Sequence, residues 1–183
     1  MDTSHPLFQV LYNEAFQTGD FTLSSGEKSD FYMDARKAQM HQSGAFHIGE
    51  AIYEQVCDLD IQAVGGMAVG AVSMVTSVLL SFASRDREIR GFWVREKKKG
   101  HGTQKSVEGL LKSGDNVLIV DDVITSGNSV KKSIEEAERC GAKVVRVIAL
   151  VDRNAGGREL LSDYDYQPLF NIDQFLEYAK QTA

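Results

Sequence analysis

Two spacings of apolar residues alternate along the chain and predict helices and strands in turn. Apolar side chains recur three and four residues apart over residues 6–19 and 44–59, as on the buried face of a helix. Between these segments, residues 21–23 and 31–33 flank a Ser-Gly turn. That pattern predicts two short strands, or a strand and a loop.

From residue 63 onwards, short apolar runs are separated by helical segments. The predicted strands are 63–64, 89–94, 117–120, 144–151 and 167–170, and the predicted helices follow Gly70, cover residues 128–140 and cover residues 173–180. Apolar strands that alternate with helices are typical of a parallel sheet covered on both faces. We therefore expect an α/β fold with a central, mostly parallel sheet of about five strands.

One uncharged segment, residues 61–84, is long enough to span a bilayer. Three glycines in its first half and serines at every fourth position in its second half divide it. The division predicts a short strand, a turn and an amphipathic helix, and no membrane span.

Length, charge and cysteine usage narrow the class of protein. A chain of 183 residues predicts a single domain over residues 1–183. Its net charge of -6 disfavours a general nucleic-acid binder. Cys57 and Cys140 have no metal-ligand spacing, so we expect two buried thiols in a reducing compartment. No secretory signal is visible at the N-terminus, which favours a cytoplasmic location.

The segment 117–130 combines a buried strand with a polar turn. Four apolar residues precede Asp121 and Asp122, and Thr125-Ser126-Gly127 then opens a helix. Small residues at a helix N-terminus let backbone amides approach a phosphate, and ligands of open α/β sheets lie at this end of the strands. The two carboxylates could accept hydrogen bonds from ribose hydroxyls, or they could simply cap the helix.

A cluster of positive charge lies one strand earlier. Residues 95–105 hold five basic side chains and one acidic side chain, which leaves the remainder of the chain at -10. The cluster could close over an anionic ligand and stabilise a leaving group, or it could be an ordinary solvated loop.

Three segments in the same order resemble the orotate phosphoribosyltransferase family. Residues 121–129 resemble the motif with which type I phosphoribosyltransferases bind 5-phosphoribosyl 1-diphosphate (PRPP). The segment around Lys99 and His101 resembles the mobile catalytic loop of that family. Residues 21–34 resemble its N-terminal substrate segment.

The resemblance implies a type I phosphoribosyltransferase fold with a small hood from about residues 1–40 and a catalytic loop at about 95–107. The reaction would convert orotate and PRPP to orotidine 5'-monophosphate and diphosphate. The implied catalytic residues are Lys99 and Asp122. The implied PRPP-binding residues are Arg95, Lys99, His101, Asp121, Asp122, Val123, Ile124, Thr125, Ser126, Gly127, Asn128 and Ser129. The implied orotate-binding residues are Tyr32, Met33, Thr125 and Arg153, and residues 66–70 would receive diphosphate through their backbone.

The same resemblance implies Mg²⁺ carried on PRPP without a direct side-chain ligand. It also implies a homodimer whose loop acts in the neighbouring subunit, with neither nucleic acid nor membrane as a partner. Three positions depart from the family pattern, in which many members have lysine where this chain has Ser24, Gly70 and Glu96. Each missing lysine should weaken diphosphate binding, for which Lys97, Lys98 or Arg36 could compensate.

Three other interpretations stay open from the residues. The protein could be a phosphoribosyltransferase for hypoxanthine, adenine or uracil, although residues 21–34 and the Lys-x-His-Gly loop argue against it. It could be a PRPP-sensing regulator that binds nucleic acid, although the charge of -10 outside the loop offers no basic face. A nucleotide-binding domain with a protein partner would leave the basic loop unexplained.

Overall fold

A six-stranded sheet with helices on both faces forms the body of the protein. The computed structural model describes residues 1–22, 26, 28–96 and 106–182. The strands are β1 Phe16–Thr22, β2 Lys28–Met33, β3 Ala63–Met67, β4 Arg90–Val94, β5 Val107–Gly109, β6 Asn116–Ile124, β7 Lys143–Asp152 and β8 Tyr166–Asn171. The helices are α1 Pro6–Val10, α2 Ala35–Gln39, α3 Gln42–Val56, α4 Val72–Ala83, α5 Asn128–Arg139, α6 Gly157–Leu160 and α7 Ile172–Thr182.

The strand order in the large sheet is β5-β4-β3-β6-β7-β8. Five of these strands run parallel, and β5 pairs antiparallel with β4 at one edge. This confirms the predicted mostly parallel sheet and adds β5, which is too short to show a pattern of its own. The strand order reverses between β3 and β6, and such a switch point leaves a crevice at the carboxyl ends of the strands.

Two apolar layers cover the sheet. Helices α1, α3, α4 and α7 bury one face through side chains such as Phe8, Ile52 and Phe82. Helices α5 and α6 bury the other face, through side chains such as Ile134 in α5 and Leu161 directly after α6. Every residue of β3 is buried, which is the reason that this strand reads as an uninterrupted apolar run.

The uncharged segment 61–84 folds as predicted, into β3, a turn and α4. No helix within the described ranges has the length and apolar character needed to cross a membrane.

The first predicted helix ends earlier than expected. Helix α1 continues as a π-helical turn over Leu11–Ala15, and the backbone becomes extended at Phe16. Phe16 pairs with Met33 in the β1–β2 hairpin. Its ring lies 5.6 Å from that of Phe175. Strand pairing and this aromatic contact therefore override the helical spacing that continues to Gly19.

An aromatic cluster joins α1 to the last strand and helix of the sheet. The ring of Phe8 lies 5.5 Å from Phe170, 4.5 Å from Phe175 and 5.3 Å from Tyr178, measured between centroids. The N-terminal segment is thus fixed on the sheet by side chains from residues 170–178.

The predicted burial of the two cysteines is wrong. Cys57 and Cys140 are both exposed and unpaired. Each is the C-cap residue of a helix, Cys57 of α3 and Cys140 of α5. Their spacing in the sequence continues the apolar pattern of the helix, but the packed surface stops before them.

Candidate functional site

The carboxyl ends of β3 and β6 separate and leave an opening in the sheet. Strand β3 pairs with β6 only from Ala63 to Gly65, and its last two residues pair with β4 alone. Gly66 fits here because a Cβ on it would lie 2.0 Å from the carbonyl oxygen of Val120. The close approach ends at this glycine, and a cavity of about 720 Å³ lies beyond it.

Residues from four parts of the chain line this large cavity. The lining residues are Tyr32, Met33, Asp34, Ala35 and Arg36 from the end of β2 and the start of α2, Met67, Ala68, Val69 and Gly70 after β3, Asp121, Asp122, Val123 and Ser129 from β6 and α5, and Glu96 after β4. Because these segments come from distant parts of the sequence, the sheet topology creates the cavity.

Asp121 and Asp122 lie inside β6 and do not follow it as predicted. The strand continues to Ile124 because β7 pairs with it as far as Asp152. Burial, followed by the charge of Asp122, raises the pKa of Asp121 to about 7. Burial also raises the pKa of Asp122, against the opposing effects of the Val123 N–H and the Arg36 charge. Both carboxyl groups therefore lie where a partner with hydroxyl donors or positive charge would stabilise their ionised forms.

A small cavity of about 110 Å³ lies beside the large one, and Asp121 lines both. The other lining residues of the small cavity are Val123, Ile124, Thr125, Ser126, Gly127, Asn128 and Ser129. Gly127 takes a left-handed conformation with φ of 82° at the start of α5. The side-chain amide of Asn128 donates to the Ser126 hydroxyl over 3.1 Å. The helix N-terminus and these small residues form a cradle suited to a phosphate.

The residues after β3 explain one departure from the family pattern. A Cβ at Gly70 would lie 2.9 Å from Oδ1 of Asp122, so any side chain there would displace the carboxylate. The neighbouring Val69 is 77% exposed at the cavity. Position 69, and not position 70, is the one from which a side chain can enter the cavity without moving Asp122.

The predicted orotate-binding residues do not all line the same cavity. Tyr32 and Met33 line the large cavity, and Thr125 lines the small one. Arg153 lines neither; its backbone N–H donates to the Ile124 carbonyl over 2.9 Å. Its guanidinium carbon lies 4.8 Å from the ring centroid of Phe31, next to Tyr32 in β2. Arg153 therefore lies between the end of β6 and the hairpin.

Arg95 lines neither of the two cavities. Its Nε lies 3.0 Å from Oε1 of Glu108 in β5, and its backbone N–H donates to the Ser106 carbonyl. Glu96 lines the cavity instead. Lys99 and His101 lie outside the described residues, as do Ser24, Lys97 and Lys98.

Arg36, which the sequence offers only as a possible replacement for a missing lysine, and Asp34, to which the sequence assigns no role of its own, both line the large cavity. Asp34 caps α2 and holds the guanidinium of Arg36 through two hydrogen bonds. The signal that could have identified them is their place directly after Tyr32 and Met33, because a chain that brings two residues to a cavity brings the next turn as well.

Comparison with known proteins gives a consistent result. The model of the phosphoribosyl transferase domain family matches residues 38–176. The orotate phosphoribosyltransferase of Rhodopirellula baltica is 41% identical over 160 residues, which cover 84% of this chain and 83% of that protein.

Solved structures show the same similarity. The orotate phosphoribosyltransferase of Mycobacterium tuberculosis, in complex with Fe(III) dicitrate, has a TM-score of 0.81 at 32% identity and covers 92% of this chain and 96% of that one. The same enzyme in complex with PRPP has a TM-score of 0.77 at 29% identity, again over 92% and 96% of the two chains.

Proposed function

This chain belongs to the orotate phosphoribosyltransferase family, and from that premise we propose how its two cavities divide the substrates. The reaction transfers ribose 5-phosphate from PRPP to orotate and gives orotidine 5'-monophosphate and diphosphate. The observation that carries the division is that Asp121 lines both cavities. One ligand with a ribose at its centre, a phosphate on one side and a diphosphate on the other fits such a pair of connected spaces.

In this arrangement the 5'-phosphate binds in the small cavity. Backbone amides at the start of α5 and the hydroxyls of Thr125, Ser126 and Ser129 donate to it. Asp121 and Asp122 accept hydrogen bonds from the two ribose hydroxyls. This placement is supported by the position of both carboxylates in β6, immediately before the residues that form the cradle.

Orotate then lies on the side of the large cavity formed by the N-terminal hood. Tyr32 and Met33 cover the pyrimidine, and Arg153 approaches from the end of β7 to meet its carboxylate. The C1–O bond to diphosphate breaks, the C1–N1 bond to orotate forms on the opposite face of the ribose, and the proton on N1 of orotate passes to diphosphate or to solvent. Residues that hold both reactants in line contribute mainly by orientation and by charge at the leaving group.

Lys99 is the side chain that we assign to the departing diphosphate. The Lys99→Ala variant is expected to lower kcat far more than it weakens PRPP binding, because its charge is needed most as the C1–O bond breaks. Equal losses in turnover and in binding would contradict this catalytic role.

Mg²⁺ fits the composition of the large cavity, whose lining contains four carboxyl groups and one guanidinium. Among the residues that the structure describes, no group of three His, Cys, Asp or Glu side chains is arranged to hold a metal ion. We propose that the ion arrives on PRPP, and that when bound it would neutralise negative charge on that substrate. Asp121 and Asp122 would then face that positive charge.

We also propose a homodimer in which Arg95 and Lys99 act in the neighbouring subunit. Arg95 lines neither cavity of its own chain and instead contacts Glu108. Phe46 and Leu80 are largely exposed and line a groove of about 360 Å³ between α3 and α4. A contiguous apolar surface of this kind is typical of an interface between protein subunits. The two exposed, unpaired cysteines fit a cytoplasmic location.

Mixing two nearly inactive variants tests the shared site. Lys99→Ala and Asp122→Asn should each retain at most about a hundredth of the wild-type activity, whereas a hybrid dimer has one site with both residues intact. Mixed, refolded protein should recover about a quarter of the wild-type activity if hybrids form at random. No recovery, with hybrid dimers verified by mass, would show that the loop acts in its own subunit.

The reaction itself is tested by the ultraviolet absorbance of orotate with purified protein, PRPP and Mg²⁺. Uracil, hypoxanthine and adenine in parallel reactions test the other bases. Loss of orotate that requires both PRPP and Mg²⁺ is the expected result. Turnover of another base in place of orotate, or PRPP binding without any turnover, would overturn the proposal.

A further inference from the structure

Arg36 is the sole cation among the described residues of the large cavity. Four carboxyl groups share that lining: Asp34, Glu96, Asp121 and Asp122. These carboxylates would strongly repel a diphosphate group unless a cation bound to the diphosphate, or a cationic side chain of the protein, supplied positive charge. Among the described residues of this cavity, the guanidinium of Arg36 is therefore the group that can offset this repulsion.

Asp34 fixes the orientation of this guanidinium. Nε of Arg36 lies 2.7 Å from Oδ1 of Asp34, and Nη2 lies 3.0 Å from Oδ2. The backbone N–H of Arg36 also donates to Oδ1. The hydrogen bond from Arg36 is the main reason that the pKa of Asp34 is lowered, so this carboxylate stays ionised and keeps its hold.

A guanidinium has two edges that can each donate a pair of parallel hydrogen bonds. Asp34 occupies the Nε/Nη2 edge. Within the described parts of the chain, Nη1 has no hydrogen-bond acceptor, so the Nη1/Nη2 edge remains available. The Arg36 side chain is 59% exposed and lines the cavity together with Val69 and Gly70.

We propose that Arg36 binds the diphosphate of PRPP through its Nη1/Nη2 edge, across the cavity from residues 68–70, and that Asp34 is a positioning residue for it. This inference rests on the proposed function, because it names a further residue for the same reaction. Two parallel N–H donors match two oxygens of a phosphate group, and their attraction grows as the breaking C1–O bond leaves more negative charge on diphosphate. Arg36 thereby supplies positive charge that lysines supply in many relatives.

Binding of inorganic diphosphate, measured by calorimetry at fixed Mg²⁺, tests the assignment without any turnover. Arg36→Gln should weaken binding about tenfold or more, which corresponds to the loss of charge-assisted hydrogen bonds. Lys37→Gln is the matched control: it removes the same charge from the next residue, which does not line the cavity, and should change binding less than about twofold. Orotate binding should be the same in all three proteins.

Two further variants separate the charge from its geometry. Arg36→Lys keeps the charge without the paired donors and should fall between wild type and Arg36→Gln. Asp34→Asn keeps an acceptor for the helix cap but loosens the guanidinium, and should raise KM for PRPP while KM for orotate stays unchanged. Unfolding midpoints of all variants verify that they fold.

Diphosphate binding by Arg36→Gln that equals wild type would overturn the assignment. Weakened orotate binding with normal diphosphate binding would also overturn it, by moving the guanidinium to the other substrate. Failure of the proposed function looks different, because the wild-type protein would then bind diphosphate through Arg36 and still leave orotate unconsumed.

Discussion

The carboxyl ends of β6 and β4 both carry charged residues of the proposed site, but the protein holds them in opposite ways. At the end of β6, Asp121 is buried inside a paired strand, and Gly127 and Asn128 shape the turn that follows. At the end of β4, Arg95 and Glu96 lie at the surface. Side chains of β5 and α5 hold them there: Glu108 contacts Arg95, and Lys132 donates to the Glu96 carbonyl.

This difference agrees with what each end is proposed to bind. Carboxylates that accept hydrogen bonds from a ribose gain from a fixed, water-poor position, at the cost of unfavourable burial when no ligand is present. Positive groups that meet a departing diphosphate have to approach and withdraw, so they suit the edge of the sheet. Ser106, which is 2% exposed, anchors that edge to α5 through Arg139 and Glu136.

The largest effect is expected at β6. Asp122→Asn should lower kcat/KM by on the order of 10² or more, because the ribose loses charge-assisted hydrogen bonds worth about 1.5–3 kcal/mol each. Steady-state kinetics with varied PRPP measure the loss. Asp60→Asn, which removes a carboxylate remote from both cavities, is the control and should retain full activity. A loss below tenfold would mean that the acidic pair does not hold the ribose.

Burial of Asp121 should also appear in the pH dependence of stability. Its pKa is raised from 3.8 to about 7, so the folded protein binds more protons than the unfolded chain between these values. Stability should therefore fall as pH rises from about 4 to about 7, by up to about 4 kcal/mol, and stay constant above. Denaturant unfolding of wild type and Asp121→Asn at several pH values isolates the effect, since the variant should lack this decline.

The pKa of Asp34 is lowered by Arg36, so its effect has the opposite sign. Asp34→Asn should be less stable than wild type near neutral pH, and this difference in the free energy of unfolding should disappear as pH falls through the lowered pKa of Asp34. If the stability of Asp121→Asn and that of Asp34→Asn, each relative to wild type, changed with pH in the same direction, the contrast between the buried and the paired carboxylate would be wrong.

Adding a lysine beside β3 should give a smaller effect whose sign depends on the position. Val69→Lys should lower KM for PRPP about threefold to fivefold, because an exposed charge next to a bound anion contributes up to about 1 kcal/mol. Gly70→Lys should instead lower activity, since its Cβ would lie 2.9 Å from the Asp122 carboxylate. Val69→Met controls for side-chain size. Equal behaviour of the two lysine variants would show that Asp122 adjusts freely.

The smallest effect is expected at the anchor of the β4 edge. Ser106→Ala should lower the free energy of unfolding by about 1 kcal/mol, because Arg139 and Glu136 still contact each other after the hydroxyl is lost. The loss of activity should also be small, well below tenfold. Ser133→Ala removes another buried hydroxyl, one that donates only to its own helix, and serves as the matched control. A loss of activity above tenfold would show that the edge is as rigid as β6.

The apolar pattern was sufficient to predict the parallel sheet, because β3, β6 and β7 are buried on both faces and contain few polar residues. It could not predict that β6 continues through Asp121 and Asp122, since that extension depends on pairing with β7. It could not end the first helix at Ala15 either, because the partners of Phe16 are Met33 and Phe175. Contacts between residues far apart in sequence are invisible to local periodicity.

The site was predicted to a similar extent. The motif at 121–129 gave the acidic pair and the cradle, because all its parts lie in one continuous segment. The sequence offers Arg36 only as a possible substitute for a lysine and assigns Asp34 no role of its own, because their roles depend on a cavity that β2, β3 and β6 form together. The orientation of Arg95 towards Glu108 likewise needed the pairing of β4 with β5.

The aromatic cluster has a consequence for how the chain is made. Phe8 leaves the ribosome some 160 residues before Phe170 and Phe175, the rings that bury it. During synthesis this apolar segment therefore lacks the aromatic side chains that bury it in the folded protein, and the hairpin that carries Tyr32 lacks its contact with Phe175 for the same time. The sheet can assemble strand by strand, whereas the hairpin that is proposed to cover the pyrimidine gains its contact with Phe175 only after the last strand and helix are translated.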